Sequence, residues 1–75
     1  MSIDTTEMVY RFIVEYMAAH DGLSPSQREI AEGCYIVRSA VLRHLDRLEA
    51  WGRILREPGK ARSIRIPKEG PEAML

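Results

Sequence analysis

The sequence holds one cysteine, Cys34, and two histidines, His20 and His44, among its 75 residues. One thiol rules out an intramolecular disulfide, and so few soft ligands rule out a CxxC-type zinc fold. No metal or cofactor is therefore expected to hold the domain together. No stretch approaches the roughly 18 apolar residues of a membrane span, and the start MSIDTTEMVY lacks the basic and apolar regions of a signal peptide. A soluble cytoplasmic protein without a membrane partner is expected. Also missing are a paired-carboxylate motif, a Cys-His constellation at metal spacing, a GxGxxG and a P-loop, which makes an enzyme the weakest functional class.

What is present is 45% hydrophobic and 29% charged, the balance of one small globular domain with a marginal core. The formal charge is zero, yet it is divided along the chain. Residues 37–66 carry eight basic side chains against three carboxylates, and the remainder carries three against eight. A local basic face of this kind binds polyanions whatever the overall balance, although any one run of arginines also serves to solvate an amphipathic helix.

The apolar spacing predicts three helices. Asp4 and Glu7 stand at capping-box spacing, and Val9, Phe12, Ile13, Tyr16 and Met17 then recur on one face at 3.6 residues per turn. HDG ends this helix, with Gly22 in the left-handed position after the cap. Ser26 and Glu29 form a second box ahead of a short helix from Gln27 to about Gly33, with Ile30 and Ala31 inward. A third helix runs over about 38–51, with Val41, Leu45 and Leu48 inward, Leu42 beside them and Gly52 as its stop. Beyond it, RILRE and RSIRI alternate apolar and charged residues around Pro58-Gly59, which suits a type II turn. A two-stranded hairpin over about 54–66 is expected, packed on the helices because it is marginal alone. The fold class is mainly α with a small β-hairpin: a three-helix winged helix-turn-helix over 1–67, followed by a mobile tail over 68–75.

In this order, three segments resemble the N-terminal DNA-binding domain of LexA-type repressors, over roughly Thr5 to Pro67. GLSPSQREIAE is similar to that family's passage into helix two, VLRHLDRLEAWGRI to its recognition helix and REPGKARSIRI to its wing. The resemblance implies sequence-specific binding to double-stranded DNA by a small bacterial or phage transcriptional regulator, as a homodimer on a palindromic operator. Two departures stand out. Around EGCYIVRSAV the chain is one residue shorter, with Tyr35 near a usual turn glycine and Val37 and Arg38 in place of small hydroxyl residues. The sequence also ends at Leu75, before any counterpart of the family's peptidase and dimerisation domain, so self-cleavage is not carried over.

The positions matching the family's base-reading face are Ser39, Leu42 and Arg43, with Arg38 beside them. Arginine makes paired hydrogen bonds to guanine, and serine bonds either a base or a phosphate. Leu42 suits a thymine methyl or the edge of the core equally well. Ser26 and Gln27 at the start of helix two, Arg47 on helix three, and Lys60 and Arg62 at the wing tip are the expected phosphate contacts; Ser26 also reads simply as a cap. Arg56 and Arg65 read as strand surface, His44 as a packed or hydrogen-bonded histidine, Cys34 as a small buried apolar residue and Trp51 as core. The apolar end AML is a candidate dimer contact. A winged helix also serves as a protein–protein module, which is the alternative function class.

Overall fold

The computed structural model describes residues 4–57, 59–60 and 62–67. Helices α1 (Thr5–Ala19), α2 (Gln27–Cys34) and α3 (Arg38–Ala50) pack pairwise around one core. Val9 and Ile13 of α1, Ile30 of α2, and Val41, Leu45 and Leu48 of α3 are fully buried, so the predicted apolar faces are the ones that meet. Ile54 and Ile64 close the core from beyond α3. None of the helices, among the described residues, is long and apolar enough to cross a membrane.

Local chemistry sets the helix ends. At α2 the capping box is complete: the Glu29 amide donates to Ser26 Oγ at 3.1 Å, and the Ser26 amide donates to Glu29 Oε1 at 2.9 Å. At α1 it is not. Asp4 Oδ1 accepts from the Thr6 amide at 2.9 Å, but Glu7 turns away to a two-pronged pair with Arg53, both contacts at 3.4 Å. The arginine fork offers Glu7 two charge-assisted bonds where a return to the cap offers one.

All three helices finish with an amide reaching back five residues: Gly22 to the Met17 carbonyl, Ile36 to Ala31 and Arg53 to Leu48. Each closure needs a left-handed residue just before the donor, and these are Asp21 (φ 56°), Tyr35 (φ 58°) and Gly52 (φ 76°). The expectation for α1 therefore shifts by one residue. Asp21 takes the first left-handed position and Gly22, at φ 87°, the next. Gly33 answers a different need, since its bare Cα lets the Phe12 ring of α1 lie against α2.

The hairpin differs most from its expectation. Among the described residues it is a single antiparallel bridge, Leu55 to Arg65, with both amide–carbonyl bonds at 2.8 Å. The inward and outward pattern is as read, with Ile64 buried and Arg65 exposed. The ladder stops because side chains take its next bonds. Ser63 Oγ accepts from the Glu57 amide and donates to the Glu57 carbonyl, both at 3.2 Å, and the Ile64 amide donates to Ser24 Oγ. At the tip, Gly59 has φ 77° and the Lys60 amide reaches the Glu57 carbonyl at 3.3 Å. Pro58 and the expected mobile tail over 68–75, with its AML end, lie outside the described residues.

Candidate nucleic-acid interface

The start of α2, the outer face of α3 and the wing enclose a groove of about 680 Å³. Arg28, Arg38 and Lys60 line it from all three elements, along with Leu42. On α3 the spacing 39, 42, 43, 46 forms one exposed stripe, so Ser39, Leu42 and Arg43 share the outward face and Arg38 stands one turn before Leu42. Leu42 is 43% exposed, which puts it on the groove wall, outside the core. The ion pairs among the described residues engage Arg28, Arg53, Arg56, Lys60 and Arg62, and Arg38 and Arg43 stand outside them.

At the edge of α3 nearest α1, Arg47 donates to Thr6 Oγ1 at 3.1 Å, and the same buried hydroxyl lies 2.8 Å from His44 Nδ1. The Thr6 hydroxyl, with one hydrogen and two lone pairs, thus serves both α3 side chains at once. Burial, with Arg47 and Arg43 adding to it, lowers the His44 pKa, which favours the neutral ring. Histidine and arginine thereby tie α3 to the first turn of α1 through the buried Thr6 hydroxyl. Burial likewise raises the pKa of Cys34, which is enclosed as expected.

The start of α2 has an extended Ser26 (φ −80°, ψ 164°) followed by amides that point along the helix axis toward the groove. Ser26 is committed as a cap, and Gln27 beside it is half-buried. The start of α3 has no side-chain cap at all, because its cap position is Val37.

The wing cations divide. Lys60 projects with its side chain 72% exposed and, among the described residues, pairs with Glu57, three residues back, at 3.2 Å. Such a surface pair exchanges readily for another anion. Arg62, expected at the tip, turns inward. Its guanidinium reaches the Ser24 carbonyl at 3.0 Å, Glu29 Oε1 at 3.0 Å and Oε2 at 3.2 Å, and the Tyr16 hydroxyl at 3.4 Å. Arg56 is likewise not plain strand surface. Its side chain, 19% exposed, bridges to Asp46 and Glu49 on α3. Trp51, expected in the core, is 54% exposed beyond the end of α3.

Residue reasoning from sequence missed Asp46, the fourth member of the outward stripe, although its spacing from Ser39 was available. It also missed Glu29 as an electrostatic centre. The Ser26 amide, then Arg62 and Tyr16, draw the Glu29 carboxyl down to about 2, so it stays charged beside the amides of α2.

The family model described as the LexA DNA binding domain matches residues 5–63. The chain belongs to that family. It is 45% identical over 69 residues to LexA repressor 2 of Xanthomonas oryzae pv. oryzae, covering 89% of this chain and 32% of that protein. It is 48% identical over 65 residues to the LexA repressor of Xylella fastidiosa, covering 84% and 30%, and 42% identical over 64 residues to that of Exiguobacterium sibiricum, covering 80% and 31%. The chain thus spans about a third of the length of the curated relatives it matches. Within the family match, the described backbone gives α2–α3 the helix-turn-helix order and leaves Lys60 and Arg62 on the wing that follows.

Proposed function

We propose that this chain is the sequence-specific, double-stranded-DNA-binding module of a transcriptional regulator, with α3 in the major groove and the wing against the backbone. The observation that carries the reading is the outward stripe of α3. Ser39, Leu42 and Arg43 are exposed together there with Arg38 beside them, and both arginines stand outside the ion pairs among the described residues. Family membership supports the same reading. Arg38 and Arg43 are the proposed guanine readers, Ser39 a base or phosphate contact, and Leu42 a partner for a thymine methyl. Gln27, next to the committed Ser26 cap, offers its amide at the start of α2 to one phosphate, and Arg47 and Lys60 each meet another. No catalytic role is proposed for these residues, and the cytoplasm, where duplex DNA is reached directly, is the proposed location.

A single small module of this kind covers only about 600–1,000 Å² of protein surface on DNA, so two copies on half-sites related by a two-fold axis complete the proposal. The test is a salt titration of binding to a random duplex and to fragments selected from a random library. On random DNA, where Arg38 and Arg43 have no preferred base, four cations meet phosphate and the slope of log K against log salt is expected at about −3 to −4. Selected fragments bind at least about a thousandfold tighter, and sedimentation shows two chains per palindromic duplex. Equal affinity for all duplexes, or a slope near zero, overturns the reading.

A further inference from the structure

Two features of the wing meet in one residue, and a third lies two residues on. Arg62 sits at φ 54° in the left-handed region, which bulky residues adopt only where the surroundings fix the backbone. Its guanidinium faces the Ser24 carbonyl, the Glu29 carboxylate and the Tyr16 hydroxyl, acceptors contributed by α1, the α1–α2 loop and α2. Two residues on, the Ile64 amide donates to the buried Ser24 hydroxyl, which in turn donates to the Pro25 carbonyl. Among the described residues the wing has one backbone bridge to hold its shape, far short of what a free hairpin requires.

From this we infer that Arg62 is a positioning residue for DNA binding: it fastens the descending arm of the wing to α1 and α2, so that Lys60 is the wing cation that meets phosphate. The fastening rests on the planar fork of arginine. Three acceptors on three segments lie within reach of one guanidinium, and a lysine ammonium on a flexible stem cannot replace that geometry. It also neutralises Glu29, which would otherwise stand as an unpaired carboxylate beside the α2 amide proposed to receive a phosphate. The inference depends on the DNA-binding reading for its purpose, but the fastening itself is a property of the free protein.

The experiment therefore has an arm without DNA. In the free protein, Arg62→Met, which keeps the aliphatic stem, is expected to speed hydrogen exchange at the Ile64 amide roughly tenfold while amides in α1 and α3 keep their protection. With DNA, Arg62→Met is expected to weaken binding to the selected site roughly tenfold with no change in salt slope, and Arg62→Lys to fail to restore it. Tyr16→Phe, which removes one acceptor on α1, is expected to weaken binding in the same direction by a smaller factor. If Arg62 instead contacts phosphate, Arg62→Met lowers the slope by about 0.9, Arg62→Lys restores both slope and affinity, and Tyr16→Phe frees the arginine and tightens binding. Unchanged Ile64 exchange overturns the fastening even if duplex binding proves real. Rapid Ile64 exchange in a protein that binds no duplex upholds the fastening and overturns the function proposed above.

Discussion

Replacing Gly33 by alanine tests the packing of α2 on α1 through the sign of the effect. Helix propensity alone makes this substitution stabilising by up to about 1 kcal/mol, less in the last turn, where Gly33 lies. The structure argues the other way. A Cβ on Gly33 overlaps Phe12 Cε1 and lies 2.6 Å from Cζ, well inside van der Waals contact. Forcing a packed ring to shift typically costs about 1–3 kcal/mol. Subtracting the propensity gain leaves a net loss of about 1 kcal/mol, or roughly 4–8 °C in Tm for a domain of this size. Phe12 is half-buried, so part of the strain relaxes toward solvent and holds the loss near that figure. Thermal and urea unfolding of Gly33→Ala, Phe12→Leu and the double variant measure it. In the Phe12→Leu background the alanine should be neutral or mildly stabilising, because the clashing ring is gone. A Gly33→Ala protein that gains stability in the parent background, with no coupling to position 12, refutes the close approach.

Two further perturbations follow from the helix ends. Val37 holds the extended cap geometry of α3 (φ −76°, ψ 154°) without a cap hydrogen bond and is 68% exposed, so Val37→Ser should raise stability by about 1 kcal/mol, whereas Val37→Ala should not; equal melting temperatures for the two variants would remove the cap argument. Glu29 has its pKa lowered from 4.5 to about 2, so its contribution is fully present above about pH 4.5 and lost as pH falls toward 2. Glu29→Gln should therefore melt below the parent near neutrality and coincide with it at the acid end, and a Tm difference independent of pH would show that the carboxylate charge is not involved.

How much of this was legible in the sequence depended on how far apart the partners lay. Ser26 and Glu29 are three residues apart and found each other as read, because both ends of the capping box are local. Asp4 and Glu7 have the same spacing, yet Arg53, 46 residues away, captured Glu7. No local rule anticipates such a competitor. The alternation in RSIRI placed Ile64 inward and Arg65 outward, but the length of the ladder was decided by Ser63 and Ser24, whose hydroxyls compete for wing amides only after the chain has folded back. Arg62 shows the limit most plainly. As a basic residue beside a turn it read as a tip cation, and only the convergence of Tyr16, Ser24 and Glu29 turns it inward. The outward face of α3 was readable because periodicity alone decides which side of a helix is left over. Trp51 was misread for the complementary reason, since it lies past the last turn, where helical periodicity no longer applies.

The same ion pairs explain how a chain of zero formal charge presents a face to a polyanion. Carboxylates near the groove would each repel phosphate: Glu49 and Glu57 line it, and Glu29 and Asp46 belong to the α2 and α3 helices that form its walls. Each is held by a basic side chain from the wing, with Arg62 on Glu29, Arg56 across Asp46 and Glu49, and Lys60 on Glu57. The wing therefore acts first on the protein's own acids. Three cations face four carboxylates, so the ion pairs offset most of the acidic field at short range and leave one negative charge shared between Asp46 and Glu49. Among the described residues, Arg38 and Arg43 on the outward side of α3 stand outside these pairs, and Arg47 is held by a neutral hydroxyl. Attraction is thereby strong on the stripe that also carries Ser39 and Leu42, where a charge can be matched to a particular base.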